Sequence, residues 1–383
     1  MKVSKKKDMM LRSICQELGA NKIFEILSKT PQRRLQPILL EAWKRRAKTK
    51  TPADILRAYE QKYQFFGVSS ISQRKLIEFI QLCFKIASID FDIVETSPIT
   101  PLGLNSVLSH VSQNNILSTI KDAEVVGDIT SQLAIECAYR RKKLIIDTKI
   151  NDVVHLCSSH RVLRMQPFDS SKGYMQHFNL LGLCSGGRGI KDDPFIIKWI
   201  REHISMIIEM INNLKKFGLS FSNISVNLSD IKFLDQLLTS LCLPRSEVNR
   251  YSLNDDFDLF QTYQIKFPRE IESISDISKE TFESCGLVDQ TTYYTHLEKG
   301  IILPLRKKYP LIRFCFDFTR KAGLGYYKHV CFHVFATTQD GNRIQVADGG
   351  AVDWLEKFLQ NKKEHMVTSG IGSELIHKLF MVK

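Results

Sequence analysis

The sequence has no long hydrophobic run. Across its 383 residues, no apolar stretch approaches the roughly 20 residues that a membrane-spanning helix needs, which argues against an integral membrane protein. The basic start, MKVSKKKDMMLRSICQEL, is not followed by an uninterrupted apolar segment or a small-residue cleavage site. We therefore expect no secretion signal and a cytoplasmic protein.

Paired cysteines are also missing. The nine cysteines are odd in number and scattered, and none forms a CxxC pair, which argues against a disulfide framework and a Cys-rich zinc site. His329, Cys331 and His333 alternate and would share one face of a strand, but no fourth ligand accompanies them. The sequence therefore predicts reduced thiols and no metal site.

Acidic residues are scarce at the N-terminus. Residues 1–50 hold fourteen Lys and Arg against four acids, which accounts for ten of the chain's thirteen net positive charges. A localised positive potential suits binding to a phosphate backbone, and Trp43 directly precedes three of these cations. The alternative interpretation is a helix face that is simply solvated. The candidate nucleic-acid-binding residues are Arg33, Arg34, Lys44, Arg45, Arg46, Lys48 and Lys50.

Helix signals divide the first 70 residues from the rest. Apolar spacing of three and four predicts three short helices, with Thr30-Pro31 and Thr51-Pro52 as N-terminal signals, the second supported by Asp54. The last of these helices should end near Phe66-Gly67. We interpret residues 1–70 as a basic helical arm and residues 71–383 as the core.

The core pattern is typical of an α+β fold. Strand-like and helical segments alternate without a strict βαβ rhythm, which favours a mixed sheet over a doubly wound one. Residues from about 190 to 300 are mostly helical in pattern and are predicted to form an insertion. It begins with a long helix that has Pro194 near its start and Gly218 on its C-terminal side.

Five stretches, in order, resemble the catalytic core of a class II aminoacyl-tRNA synthetase. They are VVGDITSQLAIECAYRR (125–141), HRVLRMQPFDSSKGYMQHFNLLGL (160–183), AGLGYYKHVCFHVF (322–335), ADGGAVDWL (347–355) and SGIGSELI (369–376). The first resembles the family's strand-to-helix segment, the second motif 2, the third the segment that holds the amino acid, the fourth the glycine-rich strand after it, and the last motif 3. The resemblance is to the histidyl-tRNA synthetase branch and its relative, the regulatory subunit of ATP phosphoribosyltransferase. It implies an antiparallel sheet of about six or seven strands with flanking helices, and a homodimer.

Several cationic groups of active family members are missing. Active enzymes carry Arg after the motif 2 Phe and after the motif 3 Glu, whereas here Asp169 follows Phe168 and Leu375 follows Glu374. The amino-acid segment has Ala322 where the family has Arg, and Gly325 replaces the acid before the tyrosine pair. Losing one such charge-stabilising donor commonly costs about 2.7–4 kcal/mol of transition-state stabilisation. Nearby replacements are Arg161, Arg164, Lys172, Arg188 and Lys321.

The resemblance also implies which residues surround the pocket. They are Asp128, Thr130, Arg161, Arg164, Gln166, Lys172, His177, Tyr326, Tyr327, Gly349, Gly350, Asp353, Gly370, Gly372 and Glu374. Placed next to each other on a strand, Tyr326 and Tyr327 would point to opposite faces, so only one could face the pocket. Packing in the core is the alternative for the tyrosines, the glycines and His177.

Three functions fit these features. The first is a diverged paralogue that binds an amino acid or nucleotide as a regulatory or binding subunit, without standard aminoacylation. The second is an ATP-dependent aminoacyl ligase or transferase, using ATP with Mg²⁺ and non-standard phosphate contacts. The third is an accessory protein that binds tRNA or another nucleic acid through the basic arm. Because the sequence stops at Lys383, we expect no anticodon-binding domain after motif 3.

Overall fold

The computed structural model of the chain describes residues 2–109, 111–168, 174–189, 192–244, 246–253, 256–287, 290–323 and 325–382. The helices of the arm are α1 (Lys2–Glu17), α2 (Ile23–Lys29), α3 (Gln32–Lys48), α4 (Pro52–Gln61) and α5 (Tyr63–Phe66). Those of the core are α6 (Gln73–Ala87), α7 (Leu104–Leu108), α8 (Ile129–Ile146), α9 (Asp192–Leu214), α10 (Phe233–Ser240), α11 (Ser246–Leu253), α12 (Leu259–Thr262), α13 (Lys279–Ser284), α14 (Gln290–Leu297), α15 (Leu303–Lys308), α16 (Trp354–Leu359) and α17 (Ser373–Phe380). None of the described helices combines the length and apolar character needed to cross a membrane.

The strands are β1 (Asp92–Ile93), β2 (Ile99–Pro101), β3 (Ala123–Val125), β4 (Val154–Leu163), β5 (His177–Arg188), β6 (Ser222–Asp230), β7 (Glu270–Ile271), β8 (Arg313–Asp317), β9 (Val330–Thr337), β10 (Arg343–Val352) and β11 (Glu364–Ile371). Within the described residues, nine of them form one sheet in the order β1-β4-β5-β11-β10-β9-β6-β8-β7, and β2 pairs with β3. Neighbours are antiparallel except for the parallel pairs β1 with β4 and β6 with β8.

The predicted α+β fold, an antiparallel sheet with flanking helices, is confirmed. The sheet has more strands than the six or seven expected, because two-residue strands close both edges and β6 lies among the central strands. Strand β6 falls inside the range 190–300, which the sequence pattern marks as mostly helical. Its residues are nearly all buried on both faces, so they lack the simple alternation by which a strand is recognised.

Helices cover both faces of the sheet. Helix α9 packs on one face through a core that includes Ile200, Ile204 and Ile207, and α8 and α16 pack on the other. Strand β5 meets α8 at Gly182, where an added Cβ would lie 2.8 Å from Ile129 Cγ2. The missing side chain therefore lets α8 approach the strand closely.

Among the described residues the arm has five helices and not the predicted three, but local signals predict two of the helix ends correctly. Thr51 and Asp54 form the expected capping box at the start of α4, and α5 ends at Phe66 before Gly67. Thr30 does not cap α3, because the N-cap position is Pro31 and no side chain bonds to the first turn. The long helix α9 also ends as predicted, in a short 3₁₀ turn followed by Gly218 at φ +76°.

The arm contacts the core at a few points. The Gln32 side chain donates to the Ile120 carbonyl at 2.7 Å, and the Gln64 side chain donates to the Tyr174 carbonyl at 3.2 Å. The Gln176 backbone N–H donates to the Gln64 carbonyl at 2.9 Å. Many apolar side chains of the arm remain exposed, including Ile38 and Trp43.

Candidate functional site

A cavity of about 700 Å³ lies over β9, β10 and β11, beside the start of α8. Its walls include residues of the loop 111–116 and of the turn 320–327. Eight residues that the family resemblance assigned to the pocket line this cavity: Asp128, Thr130, Arg164, Gln166, Tyr326, Tyr327, Gly370 and Gly372. The topology thus brings together residues from four separate stretches of the chain.

Asp128 is fixed in place at the N-terminus of α8. Its Oδ1 accepts hydrogen bonds from the Thr130 backbone N–H at 2.9 Å and from the Thr130 hydroxyl at 2.8 Å. The Tyr326 hydroxyl donates to Asp128 Oδ2 at 3.1 Å and also contacts Thr130 Oγ1. An ionised carboxylate has about four acceptor positions, so Asp128 keeps acceptor capacity for a ligand.

Both tyrosines of the pair face the cavity. The expectation that only one ring could do so is wrong, because Tyr326 and Tyr327 lie in a turn and β9 begins only at Val330. Side chains alternate between faces in a strand, but a turn imposes no such rule. The two ring centroids are 4.7 Å apart, and the Tyr327 hydroxyl donates to Asp348 Oδ2 at 3.1 Å.

The two predicted glycine pairs have different surroundings. A Cβ at Gly349 would lie 2.6 Å from the Phe332 ring, and one at Gly350 would lie 2.6 Å from Cys331 Cβ. These two glycines therefore make room for protein side chains, and neither lines the cavity. Gly370 and Gly372 do line it, and a Cβ at Gly370 would meet nothing closer than 3.7 Å.

Glu374 binds other parts of the protein through both of its oxygens. Its Oε2 accepts the Asn179 backbone N–H at 2.9 Å and pairs with Arg161 at 3.0 Å. Its Oε1 accepts the Ser69 hydroxyl, which lies where the arm joins the core. Neither Glu374 nor Arg161 lines the main cavity.

His177 joins the same contacts to the arm. Its Nδ1 lies 3.0 Å from Arg161, and its Nε2 lies 2.7 Å from the Gly67 carbonyl. The imidazole is thus bound by protein groups on both sides and does not line the cavity.

Two other predicted pocket residues are not placed in the cavity. Asp353 lies outside it and pairs with Lys357 at 2.9 Å. Lys172 lies outside the described residues.

A second, mainly apolar cavity of about 320 Å³ adjoins the first. It shares Phe178, Leu180, Gly372 and Leu375 with the main cavity, and Glu374 and Lys378 are among its polar residues. The two cavities therefore form neighbouring compartments of different polarity.

The predicted nucleic-acid-binding residues lie on or just beyond α3. All seven are exposed, and none lines either cavity described above. Arg45 pairs with Glu41 at 3.0 Å, and the Arg46 guanidinium lies 5.2 Å from the centre of the Trp43 ring. The helix thus presents several cations to solvent along its C-terminal half.

Sequence reasoning missed two charged residues of the cavity, Arg320 and Asp348. Arg320 stands two positions before Ala322, the place where the family has an arginine, and Asp348 directly precedes the glycine pair. A charged residue two positions away from a lost one is a signal that could have identified Arg320. Two guanidiniums therefore line the cavity: Arg164, which the resemblance offered as a replacement cation, and Arg320, which it did not.

Burial controls protonation in the cavity. It raises the pKa of Asp348, although the nearby Arg320 guanidinium opposes the change. Burial, followed by the neighbouring carboxylates, raises the pKa of Tyr326 and Tyr327 well above the ordinary tyrosine value, so both hydroxyls remain protonated donors. Burial, assisted by Arg320 and Arg343, lowers the pKa of His333 to about 3, so this imidazole is neutral.

Metal-binding geometry is not found in the described part of the chain, where no group of three His, Cys, Asp or Glu side chains is arranged to hold an ion. The alternating residues of β9 have different surroundings. His333 lines the cavity, whereas the buried Cys331 thiol lies 3.6 Å from the Ser229 carbonyl.

No protein-family model matches the sequence, and no curated protein matches it. Solved structures do match its fold. An ATP phosphoribosyltransferase regulatory subunit/histidyl-tRNA synthetase from Bacillus halodurans aligns with a TM-score of 0.59 at 17% identity, covering 82% of this chain and 81% of that one.

Two further structures give the same result. A histidyl-tRNA synthetase from a Nostoc species has a TM-score of 0.59 at 16% identity, covering 82% of this chain and 74% of that one. A histidine–tRNA ligase subunit from Alicyclobacillus acidocaldarius has a TM-score of 0.59 at 12% identity, covering 81% of this chain and 94% of that one. The chain therefore resembles, in its fold, the histidyl-tRNA synthetase-like branch of class II aminoacyl-tRNA synthetases.

Proposed function

We propose that this chain is a diverged histidyl-tRNA-synthetase-like protein that binds an amino acid or nucleotide and acts as a regulatory or binding subunit. The observation that carries the proposal is the main cavity, where Asp128 and Asp348 meet Arg164 and Arg320. Two carboxylates and two guanidiniums in one cavity suit a small ligand that carries both a positive and a negative group. The tyrosine hydroxyls hold the carboxylates in fixed directions.

Two features support binding without standard aminoacylation. Leu375 lines the cavity at the position after Glu374, where active members of the family have an arginine. Arg161, one of the candidate replacements, is engaged by Glu374 and His177. Catalysis of adenylate formation depends on preplaced positive groups around the phosphates, and these two positions supply none.

The test is a binding screen combined with an activity assay. Thermal shift and calorimetry would be run with the twenty amino acids, ATP, ADP, AMP and phosphoribosyl pyrophosphate. We expect saturable binding of at least one compound and no amino-acid-dependent exchange of pyrophosphate into ATP. A chain that binds none of these compounds would contradict the proposal.

A regulatory subunit also needs a catalytic partner. The Bacillus halodurans protein is described as an ATP phosphoribosyltransferase regulatory subunit, which suggests the type of partner. We propose that the chain forms a homodimer and associates with a catalytic subunit of the ATP phosphoribosyltransferase type. Sedimentation of the purified chain measures the first, and the rate of that enzyme with and without the chain measures the second. The association would be contradicted if the chain leaves the catalytic rate of that enzyme unchanged and the two proteins sediment separately when mixed.

One observation favours an ATP-dependent ligase as a second candidate. Arg164 lines the cavity, with its Nε–H donating to the Gly127 carbonyl at 3.0 Å, and the adjoining apolar cavity has room for a flat ring. The described side chains provide no ready metal site, so Mg²⁺ would have to enter with the nucleotide. Exchange of pyrophosphate into ATP that is lost in Arg164→Ala would support this candidate. No exchange with any amino acid would reject it.

The exposed cations of α3 favour a nucleic-acid contact as a third candidate. Charge reversal by Lys44→Glu and Arg46→Glu should weaken RNA retention and reduce its salt dependence, because fewer phosphates are neutralised. Filter binding at several salt concentrations measures both effects. Equal retention by the wild type and this double variant would reject the contact.

A further inference from the structure

Within the described part of the chain, Arg320 carries a buried donor that has no hydrogen-bond partner. The residue is only 6% exposed, and its Nη1 has no hydrogen-bond partner within the described structure. Nearly all buried polar groups in proteins are hydrogen-bonded, and an unpaired buried charge is especially costly. Such a group needs an explanation, and a ligand is one.

The surroundings of Arg320 hold its guanidinium in one position. Its Nε–H donates to the Ala322 carbonyl at 2.9 Å, and the guanidinium carbon lies 5.2 Å from the centre of the Tyr327 ring. The planar group is therefore fixed at two sides, and the residue lines the main cavity. A guanidinium held in this way loses little further freedom when it binds an anion.

The neighbouring carboxylate of Asp348 does not satisfy this group. Asp348 lies close enough for Arg320 to affect its pKa, but Asp348 Oδ2 accepts the Tyr327 hydroxyl at 3.1 Å, and the two charged side chains form no ion pair within the described residues. The Arg320 Nη1 donor therefore lacks an acceptor, while the Asp348 carboxylate already has a donor in Tyr327.

We infer that Arg320 forms the anion-binding subsite of the cavity and receives an oxyanion, a carboxylate or a phosphate, of the bound ligand. This inference rests on the proposed function and names the part of the ligand that the cavity recognises. Planar guanidinium groups bind such oxyanions through charge-assisted, often paired hydrogen bonds. The carboxylates of Asp128 and Asp348 balance Arg164 and Arg320, so the cavity carries no excess of positive charge for a highly charged anion.

Thermal unfolding in different sodium salts tests the subsite directly. The wild type, Arg320→Gln and Arg320→Lys would be compared in chloride, acetate and phosphate at equal ionic strength. We expect acetate or phosphate to raise the unfolding temperature of the wild type above its value in chloride, and to leave Arg320→Gln unchanged. Acetate alone would assign the subsite to carboxylates, and phosphate alone to phosphates.

The lysine variant and a matched arginine control separate anion binding from general charge. Arg320→Lys keeps the charge but loses the planar fork, so its response should be weaker than that of the wild type. Arg343 lies on β10, outside the cavity, and Arg343→Gln should respond like the wild type. An equal response of wild type and Arg320→Gln to both salts, or no response of the wild type to either, would overturn the inference.

Ligand titration distinguishes this inference from the proposed function. For the compound that binds best among the amino acids and nucleotides screened, we expect Arg320→Gln to raise Kd by roughly 10- to 100-fold, the usual range for a lost hydrogen bond to a charged group. If both proteins bind that compound equally, Arg320 is not the subsite although the cavity binds ligands. If the wild type binds nothing, the proposed function and this inference both fail.

Discussion

At the scale of single residues, Glu374 connects the arm to the core. Its carboxylate pairs with Arg161 and accepts bonds from Asn179 and Ser69, although the family resemblance suggested a ligand-binding residue. The residue as a whole is only 7% exposed. A buried carboxylate with three donors contributes to stability, and this one points to protein groups outside the main cavity.

We predict that Glu374→Gln destabilises the fold by about 1–3 kcal/mol, because an amide offers one acceptor oxygen where the buried carboxylate uses two. Urea unfolding monitored by circular dichroism measures this loss. The control is Glu41→Gln, which breaks an exposed pair with Arg45 and should cost about 0.5 kcal/mol or less. Equal losses in the two variants would contradict the role given to Glu374.

A second residue-scale prediction concerns the hydroxyl that orients Asp128. Tyr326→Phe removes the bond to Asp128 Oδ2 but keeps the ring, so we expect a loss of about 1 kcal/mol in stability. It should also weaken binding of any ligand that contacts Asp128. Tyr139→Phe on α8, a residue that is 55% exposed, is the control and should change neither quantity. Unchanged stability and binding in Tyr326→Phe would reject the orienting role.

At the scale of elements, the packing of α8 on β5 depends on Gly182. A Cβ there would lie 2.8 Å from Ile129 Cγ2 and 3.1 Å from Leu133 Cδ1, both on the helix. We predict that Gly182→Ala costs about 1–3 kcal/mol of stability, because inserting a methyl group into a packed interface forces the helix to move. Chemical denaturation measures the change.

Gly370 on β11 is the matched control. Its Cβ would meet only Asp348 Oδ1 at 3.7 Å and Thr130 Cγ2 at 3.9 Å, which are ordinary contacts. Gly370→Ala should therefore fold with nearly wild-type stability but narrow the cavity that it lines. A larger loss of stability in Gly370→Ala than in Gly182→Ala would contradict the packing argument.

At the scale of the whole molecule, buried neutral histidines make stability depend on pH. Burial, and secondarily the neighbouring His155, lowers the pKa of His203 from its ordinary value of 6.5 to about 3. Its ring bonds to Ser185 at 2.8 Å and Ser369 at 2.9 Å, between α9 and the sheet. The unfolded chain binds this proton more readily than the folded one, so stability falls as the pH drops below about 6.5.

We predict that the free energy of unfolding decreases between pH 7 and pH 5, with each such histidine contributing up to about 1.4 kcal/mol per pH unit. Urea titrations at several pH values measure the slope. His203→Gln should flatten the slope even if it lowers stability at pH 7, whereas the exposed His296→Gln should leave the slope unchanged. An identical slope in wild type and His203→Gln would contradict the prediction.

Local sequence patterns predicted the parts of this fold that depend on nearby residues. The Thr51 capping box, the long helix α9 and its end at Gly218 follow from residues within a few positions of one another. Five ordered motifs were enough to predict the class of sheet. The number of strands was underestimated, because β6 is buried on both faces and β1 and β7 have two residues each.

The identity of the cavity residues depended on contacts between distant parts of the chain. Glu374 meets Ser69 across 305 positions of sequence, and Tyr326 meets Asp128 across 198. No local pattern encodes such separations. The sequence by itself determined the helical character of the arm, the long helix α9 and the class of fold, because capping signals and the order of motifs are read along the chain. Only the tertiary structure decided that both tyrosines and Arg320 face the cavity while Glu374 and His177 bind the arm junction, because turn geometry and long-range packing set the direction of each side chain.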